Sequence, residues 1–169
     1  MKAEVLILMG SDSDLPIMEE TARILVEFGV GFEMHISSAH RSPQKTAGLS
    51  SGAAQRGIKV IVAGAGMAAH LAGVVAAESL LPVIAVPLPG GALNGIDALY
   101  AMVQMPGGVP VATMAIGKAG AKNAGLFAVQ ILSTARPELI VKLQQYRVTM
   151  AEEVAQKDAE LQAKLRVES

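Results

Sequence analysis

Two kinds of apolar pattern alternate along this chain. Short β-type runs occupy residues 5–9, 32–36, 59–63, 83–86 and 109–114. The first, Val5 to Met9, is continuously apolar, as expected of a strand buried on both faces. Longer stretches with helical spacing lie between the runs. Leu15, Met18, Ala22 and Leu25 share one helical face, and Glu19, Glu20, Arg23 and Glu27 fall largely off it. Further helices are expected over 43–56, closed by Gly57, and over 70–80, 96–103 and 120–134. Ser42-Pro43 reads as a helix start, because Ser is a good N-cap and Pro at the first helical position gives up an N–H with no partner there.

Strand and helix in this rhythm predict an α/β fold. The expected architecture is three-layer αβα, a doubly wound parallel sheet with helices on both faces. No linker or internal repeat divides the chain, so residues 1–169 are expected to form a single catalytic domain. A charged amphipathic helix over 137–166 lies outside the rhythm, with a discontinuous stripe of Leu139, Leu143, Met150, Val154, Leu161 and Leu165. Such a stripe either docks on its own domain or reaches a neighbouring copy, and a subunit interface is the expectation adopted.

Composition narrows the class. Hydrophobic residues make up 51% of the chain and charged ones only 17%, with a mean hydropathy of +0.43. So much apolar surface on a small domain points to a homo-oligomer. No apolar run reaches the roughly 20 residues of a membrane span, and Glu4 interrupts any secretory leader pattern. Cysteine is absent, which excludes disulfides and thiolate metal sites. A cytoplasmic location is expected. The net charge of −1, without a basic run, argues against nucleic acid as a partner.

Candidate chemistry sits in the loops that follow the strands, where an open parallel sheet binds ligands. Ser38-Ala39-His40-Arg41-Ser42-Pro43 puts a proton-transfer group beside a guanidinium that can grip an oxyanion. Gly10-Ser11-Asp12-Ser13-Asp14 offers hydroxyls and backbone N–H groups for phosphate, and carboxylates for ribose hydroxyls. Ser13 or Asp14 could equally cap the helix at Leu15-Pro16. Gly64-Ala65-Gly66-Met67-Ala68-Ala69-His70 allows close backbone approach and places His70 at a helix start. Pro87 to Gly95 makes a fourth such loop. His35 lies within a strand pattern and reads as structural. The combination suggests an enzyme acting on a phosphorylated or carboxylated small molecule.

These segments resemble the class I N5-carboxyaminoimidazole ribonucleotide mutases of purine biosynthesis. The resemblance rests on Met9 to Asp14, Ser38 to Pro43, Gly64 to Leu71, Val103 to Pro106, Gly108 to Val111 and Ala115 to Gly120. It extends over about residues 5–132, and the last helix matches only in type. Arg41 and His70 follow the mutase pattern, whereas the related class that carboxylates aminoimidazole ribonucleotide with CO2 has Ser-Ala-His-Lys and lacks the Ala-Ala-His turn. Met67 stands where glycine is usual, and Gly90-Gly91 replaces bulkier residues.

The resemblance implies a flavodoxin-like fold and a homo-octamer with sites near subunit borders. It implies a ribonucleotide substrate with transient CO2, and no ATP, metal or organic cofactor. His40 would be the catalytic acid and base. Ser11, Ser13, Asp14 and Arg41 would bind the ribonucleotide. Ser38, Ala65, Gly66 and Leu71 would shape the pocket around the imidazole and CO2, with His70 orienting a carboxylate or a loop. Two other readings remain at this point: the CO2-dependent carboxylase, and a flavodoxin-like module binding FMN, against which the absence of Trp and the presence of only two Tyr speak.

Overall fold

The computed structural model describes residues 2–167. The chain forms two compact units, Met1–Ile131 and Leu132–Ser169. The first holds a five-stranded parallel sheet in the order β2-β1-β3-β4-β5. Its strands are β1 (Ala3–Met9), β2 (Gly31–Ile36), β3 (Val60–Gly66), β4 (Val83–Leu88) and β5 (Ala112–Thr113). The helices are α1 (Leu15–Phe28), α2 (Pro43–Ser51), α3 (Ala53–Arg56), α4 (Leu71–Glu78), α5 (Ile96–Val103) and α6 (Lys118–Ser133), and α7 (Pro137–Val167) forms most of the second unit. The doubly wound architecture expected from the apolar rhythm is the one found.

Val5 to Met9 and Val60 to Ala63 are no more than 1% exposed, because helices cover both faces of the central strands. Alternate residues serve opposite faces. Leu6, Leu8, Ile61, Ala63 and Ala65 join Leu71, Ala72 and Val75 of α4 and Ala98 and Met102 of α5 in one apolar cluster. Gly64 opens the other way, where an added Cβ would collide with the Met18 thioether of α1. The α1–α6 contact is equally close. An added Cβ at Gly125 would lie 2.8 Å from Ile24 Cβ, and the buried Thr21 hydroxyl donates to the Ala121 carbonyl at 2.7 Å.

Several expected elements shift. The helix over 43–56 is two pieces, broken at Gly52. Thr46, Ser50 and Ser51 turn their hydroxyls back onto the carbonyls of Ser42, Thr46 and Ala47, a pattern that bends helices, and glycine then ends the first piece. The fifth strand shrinks from 109–114 to two residues, because Pro110 cannot join a ladder. Strands β3 and β4 run further than expected, through Gly66 and Leu88. On α1 the buried residues are Met18, Thr21, Ile24, Leu25 and Phe28, while Leu15 is exposed. Within the second unit, Leu139 is buried, but Met150, Val154, Leu161 and Leu165 of the stripe are exposed. Among the described residues no helix is long and apolar enough to cross a membrane.

Candidate active site

Because β1 leads out to β2 on one side and β3 lies on the other, winding reverses between β1 and β3. The carboxyl ends there flank a crevice, the usual ligand position in such sheets. The loops after β1, β2, β3 and β4 converge on it and line a cavity of about 560 Å³, within the usual range for small-molecule sites. Every residue that the resemblance assigns to the site lines it: Ser11, Ser13, Asp14, Ser38, His40, Arg41, Ala65, Gly66, His70 and Leu71; Asp12 of the first loop does not. Gly10, Ala39, Met67, Ala68, Ala69, Pro89 and Gly90 complete the wall. Pro89-Gly90 belongs to the fourth loop noted from sequence. The others are small or apolar and carry no chemical signature of their own.

The first loop is a short 3₁₀ turn, Asp12–Asp14, and its cap differs from expectation. Ser11 is the N-cap, and the Ser11 N–H donates to Asp14 Oδ2 at 2.9 Å, closing a capping box. Asp14 precedes α1 but makes no side-chain cap to it. Burial is the main influence on the Asp14 carboxyl and raises it above its ordinary value; backbone N–H groups of Ser11 and Gly10 and the Arg41 guanidinium pull the other way. Exposed Asp12 lies below its ordinary value, chiefly through the Ser11 hydroxyl.

The second loop is tied by its serines. Ser42 occupies the N-cap of α2, yet its hydroxyl turns to Ser38, accepting from the Ser38 N–H at 3.0 Å and donating to the Ser38 carbonyl at 3.1 Å. The Ser38 hydroxyl in turn accepts from the Arg41 N–H at 3.1 Å. Together they hold His40 and Arg41 outward over the cavity. The Arg41 guanidinium donates to the Gly10 carbonyl at 3.1 Å, which bridges the first two loops.

The third loop brings the second imidazole. His40 Nε2 and His70 Nδ1 are 2.8 Å apart, although 30 residues separate them in the chain. His35 is 3.7 Å from Glu33 on β2 and does not line the cavity.

Fold and crevice define a doubly wound α/β protein with a small-molecule site containing paired histidines and a guanidinium. The AIR carboxylase family model matches residues 4–153, and the chain belongs to that family. It is 53% identical to the N5-carboxyaminoimidazole ribonucleotide mutase of Mycobacterium tuberculosis over 92% of this chain and 88% of that protein. It is 52% identical to the protein of the same name from Pyrococcus horikoshii over 96% and 92%. Among solved structures, Treponema denticola PurE superposes with a TM-score of 0.84 at 29% identity, covering 94% of this chain and 98% of the other.

Proposed function

We propose that this chain converts N5-carboxyaminoimidazole ribonucleotide into 4-carboxyaminoimidazole ribonucleotide, an isomerisation of purine biosynthesis. One observation carries the reading. Arg41 and His70, the residues whose resemblance separates mutase from carboxylase, stand with His40 around one crevice. Identity above 50% to proteins named as mutases supports it.

In this mechanism the His40 imidazolium protonates N5 as the N5–carboxylate bond breaks. The bond pair stays on nitrogen, and the carboxylate leaves as CO2. C4 of the electron-rich aminoimidazole then attacks CO2, and neutral His40 removes the C4 proton. One carboxylate and one proton exchange places, so the balance calls for no cofactor. A single group serves as acid and then base. Asp14 accepts from ribose hydroxyls, while Ser11, Ser13 and Arg41 hold hydroxyl or phosphate oxygens. Ala65, Gly66 and Leu71 form the apolar wall beside the imidazole and CO2, with Ser38 fixing the loop.

Retaining CO2 needs a dry cavity, yet His40, Arg41 and His70 are exposed in the single chain. Ile96, Tyr100 and Val103 also leave an apolar face of α5 uncovered. Both features support a homo-oligomer, taken as an octamer, and the exposed Met150, Val154, Leu161 and Leu165 of α7 fit a subunit interface. One catalytic domain per chain and a cytoplasmic location complete the proposal. No aromatic ring other than those of His40 and His70 lines the cavity among the described residues, which disfavours a flavin-binding module.

The test is a paired assay following 4-carboxyaminoimidazole ribonucleotide. One arm supplies N5-carboxyaminoimidazole ribonucleotide without bicarbonate, the other aminoimidazole ribonucleotide with bicarbonate. Efficient turnover is expected in the first. Turnover only in the second would make the chain the CO2-dependent carboxylase.

A further inference from the structure

In the mechanism above, His70 moves no proton and touches no reacting atom. Yet its Nδ1 lies 2.8 Å from His40 Nε2, an ordinary hydrogen-bond length. The two rings meet edge to face, with centroids 4.9 Å apart and planes at 82°. The backbone that presents His70 is strained. Ala69, buried and immediately before it, has φ 42°, and Met67 has φ 56°. Side chains with a Cβ rarely adopt this left-handed region. The turn is closed by the Ala69 N–H on the Gly66 carbonyl at 3.1 Å. Such strain persists where surrounding structure enforces it, and it gathers at functional sites. The other charged groups lining the crevice with His40 have partners of their own. Arg41 reaches the Gly10 carbonyl, and Asp14 accepts from the Ser11 N–H.

We propose that His70 is a positioning residue for His40. Its Nδ1 accepts a hydrogen bond from His40 Nε2–H throughout the cycle, leaving His40 Nδ1 as the atom that gives and takes the proton. The proposal rests on His40 being the acid and base of the mutase reading. Proton counting sets the direction of the bond. As an acid, His40 carries hydrogen on both nitrogens and can only donate, so the bond to His70 requires a bare Nδ1 there. When His40 Nδ1 has protonated N5, Nε2–H remains and the bond is unchanged. The same Nδ1 then collects the C4 proton, with no turn of the ring between steps. Without His70, neutral His40 divides between two tautomers, and the one carrying its proton on Nδ1 cannot act as the base.

The experiment reads tautomers in the intact, assembled protein labelled with 15N-histidine. The chain has only three histidines, so replacing His35 and His70 in turn assigns the spectrum. At roughly pH 8.5, about two units above the ordinary imidazole value, His40 is expected as the Nε2–H tautomer. His70→Leu is expected to mix the tautomers. It should lower kcat about 10- to 100-fold, part of the roughly 10²- to 10⁴-fold that positioned proton transfer supplies, with KM changed less than about twofold. His70→Asn places an amide atom near the position of Nδ1 and is expected to restore most of kcat. An Nδ1–H tautomer in active wild-type protein would overturn the proposal, as would equal losses in the Leu and Asn variants or undiminished kcat in His70→Leu. Should His70→Leu fail to fold, the wild-type tautomer and His70→Asn still decide. The tautomer is read without substrate, so wild-type protein inactive in the mutase assay overturns the functional reading separately.

Discussion

In the proposed mechanism His40 alone cycles the proton, which makes its removal informative. His40→Asn keeps a polar side chain but no group that can cycle a proton. Turnover is expected to fall about 10²- to 10⁴-fold, with nucleotide affinity nearly unchanged by isothermal titration. Near-normal turnover would end the mechanism. Arg41→Lys replaces a planar fork with a point charge and is expected to weaken substrate binding about 10-fold while kcat holds; the reverse split would give Arg41 a transition-state role. Asp14 behaves differently, because burial raises its carboxyl. The folded chain holds that proton more tightly than the unfolded one. This group's contribution to stability is therefore fully present only below the ordinary carboxylate value and is lost as pH rises through the raised folded value. Asp14→Asn is thus expected to raise Tm at pH 7 by at most about 2 °C. The gain should vanish on approach to the acidic carboxylate range, and the same variant should bind substrate less tightly. Thermal scans across pH test the first part. At this scale the residues that line the crevice were legible as candidates, since imidazole, guanidinium and paired Ser/Asp are chemically conspicuous. The roles of Ser11 and Ser42 were not, because a hydroxyl takes whichever backbone partner the folded loop brings within reach.

Helix packing turns on small residues, and two glycines make opposite predictions. Gly125 lies where α6 meets α1, and a Cβ there would stand 2.8 Å from Ile24 Cβ and 3.0 Å from the Thr21 carbonyl. Alanine gains up to about 1 kcal/mol of helix propensity, but overpacking costs about 1–3 kcal/mol. Gly125→Ala is therefore expected to destabilise by about 1–2 kcal/mol. Gly48 in α2 meets nothing within 4 Å, so Gly48→Ala gains the propensity term alone and is expected to stabilise by up to about 1 kcal/mol. Guanidinium midpoints of the two variants should move in opposite directions. The alternation of runs located α1, α5 and α6 to within a few residues, although the buried stripe of α1 takes Thr21, Ile24 and Phe28 in place of Leu15 and Ala22. It missed the break at Gly52 and the shortening of β5, where side-chain competition for carbonyls and a proline's missing N–H override the apolar pattern.

For the whole molecule, the prediction concerns assembly. Eight copies of a 17.4 kDa chain give about 140 kDa, the mass expected from light scattering. Replacing Ile96 and Tyr100 together by Glu on the exposed face of α5 is expected to lower it, whereas a wild-type mass of one chain would overturn the oligomer and leave the open crevice unexplained. The sequence by itself determined the alternation of strand and helix, and therefore the doubly wound class. Apolar periodicity is local, and the handedness of crossover connections leaves few topologies. It also determined which loops hold reactive groups. Only the tertiary structure decided that four such loops, distant along the chain, meet at the reversal between β1 and β3, and that His70 Nδ1 comes to 2.8 Å from His40 Nε2. That distance depends on strand register and on the left-handed turn at Ala69. The sheet and the packing above it enforce both; no local run of residues encodes either.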